Sequence, residues 1–408
     1  MDQQIILLEI AAILIAARLF AELASRVKIP TIIGELVAGV ILGPSLLGWI
    51  EPSETLKFLA ELGIILLLFE VGIQTQLDKL ISSGSKAAIV AVSGFVLPFI
   101  LGFISSYWLF ELPLIVSLFV GGTLTATSIG ITVRILSELG KHNSVEGQIV
   151  LGAAVIDDLL GVFLLAVLYD FSSSGQVDLS NIAIIVFYVS IFFVLAPVLA
   201  KLATPFIKHL HRHTTIPGLI PTTLVSMVLI FAYLAHLSGA PDLLGGFVAG
   251  IALSRRFFLP IGTFIKADPE FSISVHTQMR PIIQLFTPIF FVMVGLSLDL
   301  RAVEWGSLFI WVFSLATLFI AIAGKMMGAF LIDEKNSTRL AIGMSMVPRG
   351  EVGLIFAEIG RSGGILDDTI YAGIILVIAY TTIASPIWIK HYYQLVENKS
   401  KKKPANLP

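Results

Sequence analysis

Apolar runs of about twenty residues follow one another from end to end of the chain, separated by short polar or charged clusters. At 1.5 Å of rise per residue, a helical run of about that length crosses a hydrocarbon layer roughly 30 Å thick. Backbone amides find no water inside such a layer, so only helices and closed barrels cross it. Barrel strands would show alternating segments of roughly ten residues instead. With 56% of the 408 residues hydrophobic and 13% charged, the chain reads as an all-α polytopic membrane protein. Spans are expected near 4–24, 30–49, 55–73, 86–109, 113–136, 146–169 and 181–207, then 219–238, 241–254, 281–298, 305–332, 338–360 and 367–390, thirteen in all. The first run has no positive leading region and exceeds a signal-peptide core, so it reads as a retained helix. Cysteine is absent, which excludes disulfide and thiol chemistry. The histidines lack metal-ligand spacing, so no cofactor is expected.

Lys and Arg concentrate on the cytoplasmic side of a membrane protein. With thirteen spans, twenty of them fall in one set of alternate connections and three, Lys57, Arg301 and Arg361, in the other. That asymmetry puts the N-terminus outside and the "KSKKKPANLP" tail in the cytoplasm. It favours a lipid bilayer as the setting and gives no sign of nucleic acid as a partner.

An internal echo runs through the sequence. "GELVAGVIL" (34–42) in the second span resembles "GGFVAGIAL" (245–253) in the ninth, and "FEVGIQTQL" (69–77) resembles "VMVGLSLDL" (292–300). The matching spans lie seven apart, an odd number, so equivalents cross in opposite directions. Glycine patterns do recur in packed membrane helices, but two matches in the same order favour two inverted six-helix repeats, with the seventh span as a linker.

Ionisable residues inside the spans are candidates for function, because an unpaired charge in hydrocarbon costs several kcal/mol, roughly 3 or more. The deep ones are Asp157 and Asp158 in the sixth span, Lys325 in the eleventh, and Arg349 and Glu351 in the twelfth. Arg18, Glu22, Glu35, Glu61, Glu70 and His236 lie nearer span ends, where snorkelling or local pairing is the ordinary outcome. Neighbours on a helix point about 100° apart, so Asp157 and Asp158 are expected to have different roles. Close carboxylates resist being ionised together, and a proton and a cation compete for their charge. Lys325, flanked by glycines and apolar residues in "AIAGKMMGAF" (321–330), needs a carboxylate partner or must lose its proton. If Asp157 is that partner, Asp158 is left facing the ion pathway; a purely static ion pair is the alternative.

Alkali ions take oxygen ligands, and a membrane helix releases its carbonyls where it is broken. Two spans carry such a defect, in equivalent places of the two halves: "GGTLTATSIGIT" (121–132) and "MVPRGEVG" (346–353), the latter with Pro348 and Gly350 in mid-span. Crossed at the midplane, their half-helix ends need compensation. Glu351 suits the N-terminal ends, and Arg349 the carbonyl ends or an acid. Thr127 and Ser128 are either ion ligands or hydroxyls bonded back to their own helix.

These motifs, "TATSIGITVRILSELG", "GQIVLGAAVIDDLLG", "PIFFVMVGLSLDL" and "GMSMVPRGEVGLI", resemble the monovalent cation:proton antiporter-2 family, NapA type, over essentially the whole chain. The resemblance implies an electrogenic exchanger of Na⁺, with Li⁺ and K⁺ as further candidates, for protons in a bacterial inner membrane. It implies Asp158 as the ion and proton carrier, Asp157 in a proton-linked salt bridge with Lys325, and Thr127, Ser128 and Glu351 near the ion. It also implies a homodimer moving as an elevator. In that scheme residues 1–54 and 219–280 form the dimerisation part, 55–170 and 281–392 the core, 171–218 the linker and 393–408 a basic tail. A Kef-like potassium efflux protein is the alternative, although such proteins usually carry another residue before the essential aspartate. An intramembrane aspartyl protease is remote, since its acids come from two helices and no "GxGD" occurs; a non-enzymatic role is expected. A channel would have no use for two broken helices in inverted halves. The "HLHRHTT" stretch (209–215) reads as a solvated basic connection.

Overall fold

The computed structural model describes residues 3–75, 80, 82–174, 216, 218–253 and 269–402, with fragments of 183–202. Regular structure among the described residues is entirely helical: α1 (Gln3–Arg26), α2 (Thr31–Leu42), α3 (Glu54–Gln74), α4 (Gly84–Ile104, prolonged by a π turn to Leu109), α5 (Leu114–Thr123), α6 (Ile129–Glu138), α7 (Val145–Ser174), α8 (Leu219–Leu237), α9 (Asp242–Leu253), α10 (Pro269–Leu296), α11 (Leu308–Phe330), α12 (Asn336–Ser345), α13 (Glu351–Ser362) and α14 (Asp368–Lys402). Twelve expected spans coincide with these helices, the fifth and twelfth each as two pieces. The seventh, with the 209–215 stretch, falls largely outside the described residues.

Several boundaries differ from expectation for identifiable reasons. The second span stops at Leu42 rather than 49, because Gly43 and Pro44 follow. The tenth begins at Pro269 rather than 281. Hydropathy marks where a helix enters the apolar layer, not where the helix starts, and the polar stretch before Pro281 is helical too. The last span continues to Lys402 past its expected end at 390 for the same reason. Interior prolines leave the carbonyl four residues back without its amide. For Pro288 that carbonyl is Gln284 O, and Arg18 of α1 donates to it, which gives an intramembrane arginine a structural occupation.

Packing between the halves follows the sequence echo residue by residue. A methyl group built on Gly39 of α2 would lie 2.0 Å from Val292 O of α10; one on the matching Gly250 of α9 would lie 2.3 Å from Phe69 O of α3. The partners repeat the pattern, with Gly295 at 2.2 Å from Leu36 O and Gly72 at 2.4 Å from Phe247 O. Gly34 against Phe20 O (2.1 Å) and Gly245 against Phe231 O (2.2 Å) form a third matched pair, joining α1 to α2 and α8 to α9. No side chain fits any of these places, so backbones meet directly, the close approach that lipid-embedded helices use in place of a hydrophobic drive. The two halves are therefore interleaved: α2 packs on α10, and α3 on α9.

Large apolar side chains point outward along α1, among them Leu7, Leu8, Ile15, Leu19 and Leu23. This inverts the arrangement of a soluble protein and suits lipid contact. Trp49, Trp108 and Trp305, all exposed, follow α2, end α4 and precede α11. Arg301 donates to Leu46 O at 2.9 Å and Leu300 N to Ser45 Oγ at 3.1 Å, which puts Trp49 and Trp305 at one end of the molecule. The alternation of α2, α3 and α4 brings Trp108 to the same end, as an interfacial aromatic belt requires.

Candidate functional site

Both broken spans unwind where the sequence withdraws support for a helix. After α5, Thr123 Oγ1 donates to Val120 O and Thr125 Oγ1 to Gly122 O, each at 2.7 Å. Such local bonds compete with helical ones next to the Gly121–Gly122 pair. After α12, Pro348 has no N–H to give and disfavours helical geometry in the residue before it.

The two unwound segments, 124–128 and 346–350, cross and satisfy each other. Ser128 N donates to Pro348 O at 2.8 Å, Thr127 Oγ1 to Met346 O at 2.9 Å, and Thr132 Oγ1 to Ser345 O at 2.8 Å. A methyl on Gly350 would meet Ser128 Oγ at 2.5 Å, so the crossing admits only glycine there without a shift. Arg349, fully buried, donates to Ala126 O at 3.0 Å and to Ala321 O at 3.3 Å. Of the two roles open to it, the structure puts it on carbonyls. Thr382 of α14 fixes the same residue from behind, donating to Arg349 O at 2.5 Å. Glu351 opens α13; its side chain lies outside the described part.

Against this crossing α7 brings Asp157 and Asp158, both with no exposed surface. Lys325 Nζ of α11 lies 2.8 and 2.9 Å from the two carboxylate oxygens of Asp157, and its side chain is also completely buried. Thr127 N donates to the same carboxylate at 2.7 Å, so Asp157 ties α7 both to α11 and to the unwound segment. Glycines place the lysine. A methyl on Gly328 would come within 2.8 Å of Gly94 N, and one on Gly324 within 2.9 Å of Pro98 N. α11 therefore lies directly on α4, with the Lys325 stem over Gly94. Asp158 is one residue further, turned about 100° around α7.

Thr132 and Thr382 were not singled out from the sequence. Their signal, a hydroxyl inside a span, is common and usually local. Nothing short of the fold shows that these two reach another segment's carbonyl. The shallower ionisable residues have nearby occupations. Glu22 pairs with Arg26 at 3.0 Å, Glu70 with His276 at 3.2 Å, and His236 with Asp242 at 3.1 Å, while Glu61 is exposed. Glu35 is buried with Arg134 at 3.9 Å.

This geometry can be set beside known proteins. The profile of the transmembrane sodium/hydrogen exchanger family matches residues 10–394. The chain is 33% identical over 445 residues to the high-affinity Na(+)/H(+) antiporter NhaS3 of Synechocystis, covering 99% of this chain and 93% of that one. It is 33% identical over 394 residues to the Na(+)/H(+)-K(+) antiporter GerN of Bacillus cereus, covering 94% and 95%. A Na(+)/H(+) antiporter of Enterococcus hirae is 29% identical over 385 residues, covering 94% and 97%. Among solved structures, the sodium proton antiporter MjNhaP1 from Methanocaldococcus jannaschii superposes with a TM-score of 0.70 over 98% of this chain and 99% of that one, at 17% identity, which establishes a shared fold. Matched along nearly its whole length, this multi-pass membrane protein belongs to the sodium/hydrogen exchanger family.

Proposed function

We propose that the chain exchanges sodium ions for protons across a bacterial inner membrane, with its N-terminus outside and its C-terminus in the cytoplasm. One observation carries the reading: a fully buried Lys325–Asp157 pair beside a fully buried Asp158, where two broken helices cross. A carboxylate in that position is neutralised by a proton or by an alkali ion, and each excludes the other. Asp158 is the carrier in this reading. Thr127 and Ser128 lie at the crossing with released carbonyls around them, and Glu351 heads α13; these are the supporting ion-site residues. Pro348, Arg349 and Gly350 hold the break open. Asp157 keeps Lys325 protonated or lets its proton go, and that second proton makes the cycle carry net charge. The relatives named as antiporters support a transporter rather than an enzyme.

Movement is an elevator-like slide between two bodies of a homodimer's subunit. The glycine contacts favour grouping α1–α3 with α8–α10 as the static, dimer-forming body, leaving α4–α7 and α11–α14 to carry the site. That boundary shifts α3 and α10 away from the core in which the sequence scheme had put them. GerN's name includes K⁺, so potassium is the second substrate to test.

Reconstituted proteoliposomes decide the matter. With a pH gradient imposed, Na⁺, Li⁺ and K⁺ are added in turn at several membrane potentials. Saturable, voltage-dependent counterflow that is lost in Asp158→Asn is the expected result. Exchange that survives in Asp158→Asn removes the carrier assignment, and a rate indifferent to voltage removes the electrogenic one.

A further inference from the structure

Away from the aspartates, one buried carboxylate among the described residues lacks a hydrogen bond on both of its oxygens. Glu35, one turn into α2, has no exposed surface, and neither of its carboxylate oxygens has a hydrogen-bond partner among the described residues. Its nearest cation is Arg134 of α6, 3.9 Å away and beyond hydrogen-bond reach. Arg134 Nε is engaged instead by Glu138 Oε1 at 3.1 Å. The Glu138 carboxylate in turn accepts from the Thr31 hydroxyl and, at 3.3 Å, from Thr31 N. Thr31 opens α2 directly behind Pro30, which has no capping side chain. α2 therefore takes its N-terminal cap from α6, a contact that satisfies an orphan amide and sets a negative charge at the positive helix end. The remaining charged group acting on Glu35 is Arg18 of α1, occupied at the Gln284 carbonyl.

We propose that Glu35 is a proton-binding site separate from the aspartate pair, and that its protonation sets the grip between α2 and α6. An ionised carboxylate in a dry seam needs a donor, and Arg134 is the one within reach of a rotamer change. Ionised Glu35 draws Arg134 across the seam, so that Glu35, Arg134 and Glu138 clasp the two helices together. When the carboxylate takes a proton it becomes neutral, Arg134 stays with Glu138, and the seam is left with the Thr31 contact. α6 is ten residues long, about 15 Å, and its other end is Ser128 at the crossing. A clasp at Glu138 therefore restrains the ion site from a distance. Acid at this end, proposed above as cytoplasmic, loosens α6, and alkali locks it.

The chain has no cysteine, so Ser137→Cys in the last turn of α6 supplies a single thiol beside Glu138. Its labelling by a membrane-impermeant maleimide is followed across pH in everted vesicles, with Glu35 and with Glu35→Gln in the same background. Thiol chemistry cancels in the ratio of the two rates. The ratio should be one at acid pH and rise as the pH is raised, because only Glu35 can lock. Arg134→Met, which removes the clasp from the other side, should give the same ratio. Glu35→Gln should also retain Na⁺-dependent exchange and slow less than the parent as the pH is raised, because it cannot lock. A ratio of one throughout, in both variants, overturns the proposal. Labelling needs no ion gradient, so it reads the clasp even if the exchange reading fails; absence of exchange in the Ser137→Cys parent would strike that reading alone.

Discussion

Replacing Lys325 by Met tests the central pair energetically as well as functionally. The lysine donates to both oxygens of Asp157 at 2.8 and 2.9 Å, and neither side chain touches solvent. Without the ammonium, the Asp157 carboxylate keeps the Thr127 N–H as its recorded donor. Removing one partner of a buried ion pair costs about 3–5 kcal/mol, mostly the expense of leaving the other charge in a low-dielectric interior. Asp157→Asn strands Lys325 in the same way and should cost a similar amount. The double variant Asp157→Asn/Lys325→Met removes both charges, keeps the side-chain volumes close and preserves an acceptor for Thr127 N. Its cost should fall to roughly 1 kcal/mol or less, since replacing a whole buried pair is often near neutral. The cycle therefore predicts a coupling of several kcal/mol, about 3 or more, between residues far apart in sequence. Thermal unfolding of the purified protein in one detergent gives the ordering directly: both single variants well below the parent, the double variant near it. A double variant as unstable as the two losses added together would show that the pair is not energetically coupled, and would remove the basis for linking a proton on Lys325 to Asp157.

Two further outcomes follow from features outside the site. Gly250→Ala and Gly39→Ala place methyl groups 2.3 Å from Phe69 O and 2.0 Å from Val292 O, so the helices must part, at about 1–3 kcal/mol each. Gly84→Ala, with nothing within 4 Å of the added carbon, is the neutral control; unfolding temperatures that fail to separate it from the other two refute the backbone contacts. Burial pushes the His142 imidazole, in the connection between α6 and α7, below its ordinary pKa. The folded state then binds fewer protons than the unfolded one, so the stability this residue contributes is complete above about pH 6.5 and is lost as the pH falls through the folded value. Proteolysis of residues 139–148 should quicken between about pH 7.5 and pH 5.5, and His142→Gln should flatten that change; identical profiles refute it.

What could be read from the sequence, and what could not, divides along a physical line. Apolar runs report entry into the hydrocarbon layer, so most spans were legible, whereas the polar start of α10 and the long end of α14 were not. Pro348 and the Gly121–Gly122 pair announce that a helix stops, because their effect is local and steric. A buried lysine demands a counter-charge, which makes Lys325 and Asp157 readable as partners. Thr132, Thr382 and the Arg349 carbonyl contacts depend on segments far apart in sequence coming to cross, and a hydroxyl or guanidinium carries no address for its acceptor. Glu35 shows the reverse case. Its nearness to a span end suggested ordinary snorkelling, yet the α2–α6 seam closes over it.

The matched glycine contacts bear on how the protein is made. α2 seats on α10, and α3 on α9, so neither half contains the partners for these faces of its own second and third helices. As synthesis proceeds, Gly39 and Gly72 enter the bilayer long before Gly295 and Gly250 exist, and their bare backbone surfaces wait against lipid. Assembly is then gated by the arrival of the C-terminal half, and a chain split in the 209–215 connection should require both pieces in the same membrane before either becomes resistant to degradation.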